Sequence, residues 1–308
     1  MINIYQTTLL YPIEFKGIGL HSGLDSVIKI LPAEVNSGVI FKRVDLESNN
    51  LVEANYKNVT SAKLCTTLEN AHGAKVSTVE HLLAALYIAE IDNVLIEINT
   101  EEVPIMDGSA KDFLEILKNT KIKTLSEKRN FLEVLQKVEL VDGDRKISLE
   151  PNDETLEVEF QLNYKNKVIG NQKNTVNFYK DKVDDVSISR TFCLYEDIEK
   201  IKNAGLARGG SLDNAIVVDS DKVLNEGGLR NDKEFVNHKI LDLVGDFMLS
   251  GKRILGKVNC YQGGHQLTNM FLRKLFKSCD NYSVKKFNNK TIQKEKNINQ
   301  NIQLAVNA

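Results

Sequence analysis

The sequence predicts an α+β fold made of two similar halves that arose by internal duplication, each a sheet packed with helices, with a site between them. Three observations predict it. Short runs of alternating apolar and polar residues open the first half and recur after Phe131, the period of half-buried strands. A helix, a strand, a turn and a second helix follow one another twice in the same order. The most polar internal stretch, Lys118 to Asn130 (KNTKIKTLSEKRN), separates the two copies. At 308 residues the chain matches two domains of about 150 residues each. The expected division is 1–124, 125–277 and a Lys/Asn-rich tail, 278–308, whose composition predicts disorder.

In the first half the strand-like runs are Thr8 to Phe15, Ser26 to Leu31 and Gly38 to Val44. Between the first two lies Gly17-Ile18-Gly19-Leu20-His21-Ser22-Gly23. Its glycines fit either a plain hairpin with an incidental histidine or a tight loop that brings backbone close to a ligand. Ser77-Thr78-Val79-Glu80-His81 then starts a helix. Ser77 and Glu80 fit a capping box, in which the glutamate bonds back to the cap residue's own N–H. The other reading puts Glu80 and His81 in the first turn of a buried helix, one to bind a metal and one to handle a proton, with a core histidine as the bland alternative for His81. A strand, Asn93 to Asn99, the turn Ile105-Met106-Asp107-Gly108-Ser109-Ala110 and a helix, Lys111 to Leu117, complete the copy.

The second half repeats this. Strand-like runs fill Phe131 to Phe178, and Ser187 to Phe192 leads to an amphipathic helix, Glu196 to Asn203, a glycine loop, Gly205 to Ser211, and the apolar run Ala215 to Val218. Then come a helix carrying His238, a strand from Gly256 to Tyr261, the turn Gly263-Gly264-His265 and a helix from Gln266 to Phe276. His81 precedes Asp107 by 26 residues and His238 precedes His265 by 27, so the copies are in register.

The helix from Phe235 to Ser250 is apolar around most of its circumference, which makes its charges expensive. His238, Asp242 and Asp246 recur every four residues and so share one face. Only five histidines are present, and three of them, His81, His238 and His265, sit at matching places in the two copies. Two imidazoles and a carboxylate form a catalytic zinc set with the fourth position open for water. With His81, His238 and Asp242 as ligands, Glu80 is left to act as base for the water, and Lys239, Asp246 and His265 remain as charged or proton-donating neighbours. This is the chemistry of metal-assisted hydrolysis. Nitrogen ligands favour zinc over magnesium, and iron(II) is the competing metal.

Composition narrows the classes. The formal net charge of −2 gives no case for nucleic-acid binding. Cys65, Cys193, Cys260 and Cys279 are scattered without a disulfide framework, which fits a reducing compartment and a cytoplasmic location. The N-terminus lacks the pattern of a signal peptide and no apolar run approaches the ~18 residues of a spanning helix, so membrane contact is expected to be peripheral at most.

Together, Gly19-Leu20-His21-Ser22-Gly23, Ser77-Thr78-Val79-Glu80-His81-Leu82, Pro104-Ile105-Met106-Asp107-Gly108-Ser109-Ala110, Ser189-Arg190-Thr191-Phe192, Leu229-Arg230, the His238 to Asp246 ladder and Gly264-His265 resemble the UDP-3-O-acyl-N-acetylglucosamine deacetylases, zinc enzymes of lipid A biosynthesis. The resemblance spans about Thr7 to Phe276. It implies two α+β domains facing each other across the active site and zinc on His81, His238 and Asp242. It also implies a general base at Glu80, a proton donor at His265 supported by Asp246, and a hydroxyl contact from Thr191 to the tetrahedral intermediate. Lys239, Phe192 and His21 would contact the sugar and diphosphate. The implied reaction is removal of acetate from a UDP-linked, 3-O-acylated N-acetylglucosamine, the committed step of lipid A biosynthesis, by a monomer acting on a small-molecule substrate. An apolar passage for the acyl chain maps onto Leu194 to Val217, with Ile198, Leu206 and Val217 as lining residues and a plain core helix as the competing reading. Cys193 stands where relatives often carry glycine or alanine. Two other functions remain open: a zinc amidase acting on another acylated amino sugar, and a non-catalytic homologue whose metal is structural and which binds an acylated lipid or a protein partner.

Overall fold

The structure is a computed structural model, and it describes residues 3–152 and 155–287. The first half runs β1 (Tyr5–Leu9), β2 (Ile13–Ile18), β3 (Asp25–Pro32), β4 (Val39–Arg43), β5 (Leu51–Glu53), β6 (Val59–Ser61), β7 (Thr67–Glu69), β8 (Lys75–Ser77), α1 (Glu80–Ile88), β9 (Val94–Ile98), α2 (Lys111–Asn119) and β10 (Ile122–Lys128). The second runs β11 (Phe131–Val134), β12 (Val138–Asp142), β13 (Arg145–Glu150), β14 (Leu156–Asn163), β15 (Asn171–Asn177), α3 (Asp184–Ser187), β16 (Phe192–Leu194), α4 (Tyr195–Asn203), β17 (Ile216–Asp219), β18 (Lys222–Val223), α5 (Glu234–Met248), β19 (Arg253–Tyr261), α6 (His265–Leu275) and β20 (Tyr282–Lys285).

The duplication is written into the sheets. In the first half the order is β2-β3-β9-β4-β5, with β9 parallel to β4 and the other pairs antiparallel. In the second, β12-β13-β19-β14-β15 repeats that order and every strand sense. Each central strand, β9 or β19, is preceded by one helix and followed by another. Alternating burial along β3 and β14 follows their alternating sequences, since successive side chains point to opposite faces. Apolar residues from both halves form one continuous core.

α1 and α5 pack against each other, and this contact positions the site. Every residue of α1 from Glu80 to Tyr87 is buried, so α1 is apolar on all sides rather than amphipathic. Gly245 makes the approach possible: a Cβ built there would lie 2.0 Å from the Glu80 carbonyl oxygen. Any side chain at that position would force the helices apart.

Three expectations change. The run Thr8 to Phe15 is broken at Leu10–Pro12, and β1 leaves the main sheet to pair antiparallel with β10. The division expected at 124/125 therefore falls inside a paired strand. Residues 278–285 are ordered, with β20 adding antiparallel to β11, because a strand is held by backbone bonds that Lys- and Asn-rich composition does not forbid. The rest of the expected tail, 288–308, lies outside the described residues. Among the described residues no helix is long and apolar enough to cross a membrane.

Candidate active site

Three helices deliver the site. α1 brings Glu80 and His81 in its first turn, α5 brings His238, Asp242 and Asp246 along one face, and α6 begins at His265. All six side chains are buried, the most exposed being His265 at 7%. Burying so many ionisable groups is unfavourable unless each finds a partner.

His81, His238 and Asp242 converge, with one ligand atom from each lying within 4.8 Å of the others. Asp242 Oδ1 is 3.4 Å from His81 Nε2 and 3.3 Å from His238 Nε2. His238 Nδ1 lies 3.0 Å from the Ser189 carbonyl, which can only accept, so Nδ1 carries the proton and Nε2 presents a lone pair. Burial holds His238 neutral, with its pKa lowered to about 3. A lone pair therefore faces a carboxylate oxygen that is itself buried and accepts no hydrogen bond among the described residues. Electron-pair donors crowded in this way are explained by a cation between them. Two imidazoles and a carboxylate fit zinc, and they also fit iron(II).

Beside this set lies a second one. Glu80 Oε2 accepts from the Thr66 amide at 3.0 Å, and Oε1 lies 3.7 Å from His265 Nε2. Burial raises the Glu80 pKa. His265 Nδ1 donates to Asp246 Oδ2 at 2.8 Å, and Thr66 Oγ1 donates to Asp246 Oδ1 at 2.6 Å. Burial disfavours the His265 imidazolium, but Asp246, Glu80 and Asp242 outweigh it and push the pKa up to about 10. The pair thus joins a carboxylate suited to take a proton with an imidazolium suited to give one. Lys239 Nζ donates to Asp242 Oδ2 at 2.8 Å and sits 5.4 Å from the centre of the Phe192 ring, which in turn packs edge-on to Phe235 and His238.

His21 and Thr191 lie on the wall of an adjoining apolar cavity of about 350 Å3, together with Phe192, Cys193, Ile198 and Val217. Leu206, expected there, is not a lining residue, and its neighbour Ala207 takes the place. His21 Nδ1 accepts from the Ala207 amide at 3.3 Å, so this histidine is held by the glycine loop of the other half rather than by the metal set. That contact is close: Gly209 N–H donates to the Leu20 carbonyl at 3.0 Å, and a Cβ on Gly209 would lie 2.3 Å from the Gly19 oxygen. Thr191 is fixed through its backbone, donating to Gly108 O and accepting from Ile216 N at 2.8 Å each.

The capping-box reading of Ser77 and Glu80 fails. Ser77 belongs to β8 and donates to the Glu101 carbonyl, α1 starts with no side-chain cap, and the Glu80 carboxylate is used by Thr66 and His265. Thr66 and Glu102 carry no sequence signal of their own. Glu102 accepts from the amides of His21 and Ser22 and from Thr78 Oγ1, and so shapes the glycine loop. Arg190 and Glu234, both buried, pair at 2.8 Å and anchor the segment that offers Ser189 O to His238. The two copies diverge at their turns: His265 reaches the site, whereas Asp107 pairs with Arg230 at 2.8 Å.

Fold and site together define a two-histidine, one-carboxylate centre set between duplicated α+β halves, with a carboxylate and an imidazolium at its side. The family model of UDP-3-O-acyl N-acetylglycosamine deacetylase matches residues 6–277, and the chain belongs to that family. Relatives named UDP-3-O-acyl-N-acetylglucosamine deacetylase include that of Geotalea uraniireducens, 41% identical over 281 residues, covering 91% of this chain and 91% of the relative. The relative from Pseudoalteromonas translucida is 40% identical over 275 residues, covering 88% and 90%. The one from Mannheimia succiniciproducens is 40% identical over 290 residues, covering 93% and 95%.

Proposed function

We propose that this protein is a zinc-dependent deacetylase that hydrolyses the N-acetyl group of UDP-3-O-acyl-N-acetylglucosamine to give acetate and UDP-3-O-acyl-glucosamine, the committed step of lipid A biosynthesis. The observation that carries this reading is the pairing of Glu80 and His265, 3.7 Å apart, beside the convergent His81, His238 and Asp242. Family membership supplies the substrate class. His81, His238 and Asp242 would hold the zinc, whose Lewis acidity activates water and polarises the amide carbonyl.

The remaining work falls to the chain's own side chains. Glu80, made more basic by burial, accepts the proton of the attacking water. The Thr191 hydroxyl stabilises the oxyanion of the tetrahedral intermediate. His265 donates its proton to the departing amine, and Asp246 positions it for that step and keeps it charged. Lys239, Phe192 and His21 bind the sugar and diphosphate. The acyl chain occupies the cavity lined by Ile198, Val217 and Cys193.

On this reading the protein works in the cytoplasm as a monomer, and the two functional domains proposed at 1–124 and 125–277 are tied together by the pairing of β1 with β10 across that boundary. A structural metal in a non-catalytic homologue is disfavoured, because such sites normally close with four protein ligands and only three converge among the described residues. Incubating the metal-loaded protein with the substrate and measuring acetate tests the proposal; wild-type release no greater than that of His238→Ala rejects it. Inhibition by a hydroxamate, which needs an open coordination position, separates a catalytic from a structural metal.

A further inference from the structure

Thr66, immediately before β7, touches both the proposed base and the partner of the proposed acid. Its amide donates to Glu80 Oε2 at 3.0 Å and its hydroxyl donates to Asp246 Oδ1 at 2.6 Å. Among the described residues it alone hydrogen-bonds to both carboxylates. Asp246 Oδ2 accepts from His265 Nδ1 at 2.8 Å, and His265 Nε2 lies 3.7 Å from Glu80 Oε1. Thr66, Glu80, His265 and Asp246 thus form a ring closed by three hydrogen bonds and open at one place, the gap between Oε1 and Nε2.

Thr66 and its partners in the ring are buried, and a carboxylate oxygen stripped of its donor there bears the full cost of its desolvation. The carboxylate of an aspartate turns about a broad, roughly two-fold torsion, so one hydrogen bond to His265 does not fix its plane. A second, from Thr66 to Oδ1, does. Thr66 is itself held. Its amide is anchored on Glu80, and branching at Cβ restricts χ1 to few rotamers, so the direction of the hydroxyl follows from the backbone. The residue carries position from the base to the acid's partner as one stiff piece.

We propose that Thr66 is a positioning residue for proton transfer: its hydroxyl fixes the Asp246 carboxylate and through it aims His265 Nε2 at the departing amine, while its amide holds Glu80 across the gap. This rests on the deacetylase reading of the reaction, whereas the ring itself is a property of the fold. Thr66 is no member of the metal set, so it reaches the chemistry only through Asp246 and Glu80. A misplacement of about 1 Å costs catalysis about 10²-fold, which sets the scale of the effect.

Thr66→Val removes the hydroxyl and keeps the amide, and Thr66→Ser keeps both. In the full-length, metal-loaded protein Thr66→Val should lower kcat for acetate release by about 10–100-fold, with KM within about twofold of wild type and metal content unchanged. Thr66→Ser should restore kcat to within about threefold of wild type. In an Asp246→Ala background Thr66→Val should add less than about threefold, because no carboxylate remains for the hydroxyl to hold. Thermal melts check folding, and Thr66→Ala takes the place of the valine variant should that one not fold. Wild-type kcat in Thr66→Val, an equal loss in Thr66→Ser, or fully additive losses with Asp246→Ala would overturn the inference and leave Thr66 a structural tie. A second readout needs no substrate. The His265 Nδ1 proton, far downfield in proton NMR when bonded to a buried carboxylate and identified by its absence in His265→Ala, should be sharp in wild type and Thr66→Ser. In Thr66→Val it should move upfield or broaden away. Wild type that releases no acetate rejects the deacetylase reading alone, whereas a resonance unmoved in Thr66→Val rejects the role of Thr66.

Discussion

Replacing Asp246 by asparagine separates holding the metal from moving the proton. The side chain is buried, accepts from Thr66 Oγ1 at 2.6 Å and from His265 Nδ1 at 2.8 Å, and is absent from the converging ligand set. Asparagine keeps the shape and loses the charge. At ~4 Å and an effective dielectric of ~20, two unit charges interact by ~4 kcal/mol, or about three pKa units. His265, pushed up to about 10, would then fall toward its ordinary 6.5, because burial works against the imidazolium and only the more distant Glu80 and Asp242 still support it. A divalent cation beside Asp242 lowers the starting value, so the readout is the difference between variant and wild type. As the proton donor, His265 is active below its pKa. The alkaline limb of kcat/KM for acetate release should therefore move to lower pH by about three units in Asp246→Asn, with activity near pH 8 down by about 10–30-fold as the protonated fraction of His265 falls. Metal content, measured by mass spectrometry on the same samples, should be unchanged. Metal loss equal to that of Asp242→Ala, or a pH profile that stays in place, would refute the division of roles.

Glu80→Gln should lower kcat by about 10²–10⁴-fold with metal retained, as measured by steady-state kinetics and metal analysis. Asp242→Ala should lose metal on dialysis and also unfold at lower denaturant, by about 3 kcal/mol, because it strands the Lys239 ammonium that Asp242 now pairs at 2.8 Å. Gly245→Ala places a methyl where Glu80 O lies 2.0 Å away, so thermal melts should register a loss of about 1–3 kcal/mol or more, with metal affinity falling as α1 and α5 separate. Ile198→Phe should fill part of the apolar cavity. Displacing two methylenes at about 0.8 kcal/mol each predicts a rise of about 15-fold in KM for long-chain substrates and little change for short ones.

The ladder on α5 was legible because i, i+4 spacing is a property of the helix itself: once the helix is read, His238, Asp242 and Asp246 must share a face. His81 and His265 could be added because the duplication supplied a register between distant segments. What the sequence could not carry were contacts made by tertiary approach. Thr66 sits in a loop with no pattern, and its place between Glu80 and Asp246 is set by how that loop folds over α1 and α5. Ser77 and Glu80 matched a local capping motif, but a buried helix start drew Glu80 into the site instead. β1 and β20 pair with partners far away in the chain, β10 and β11, and nothing in their own residues announces either partner. Leu206 and Ala207 differ by one position, and only the path of the loop decides which of them faces the cavity.

The central claim is that His81, His238 and Asp242 hold a catalytic metal beside Glu80 and His265. Its most direct test is metal content and acetate release from UDP-3-O-acyl-N-acetylglucosamine measured on one preparation each of wild type and His238→Ala. Wild type should carry zinc and release acetate, and the variant should lose both together. A variant that keeps its metal and turns over substrate at the wild-type rate would contradict the account.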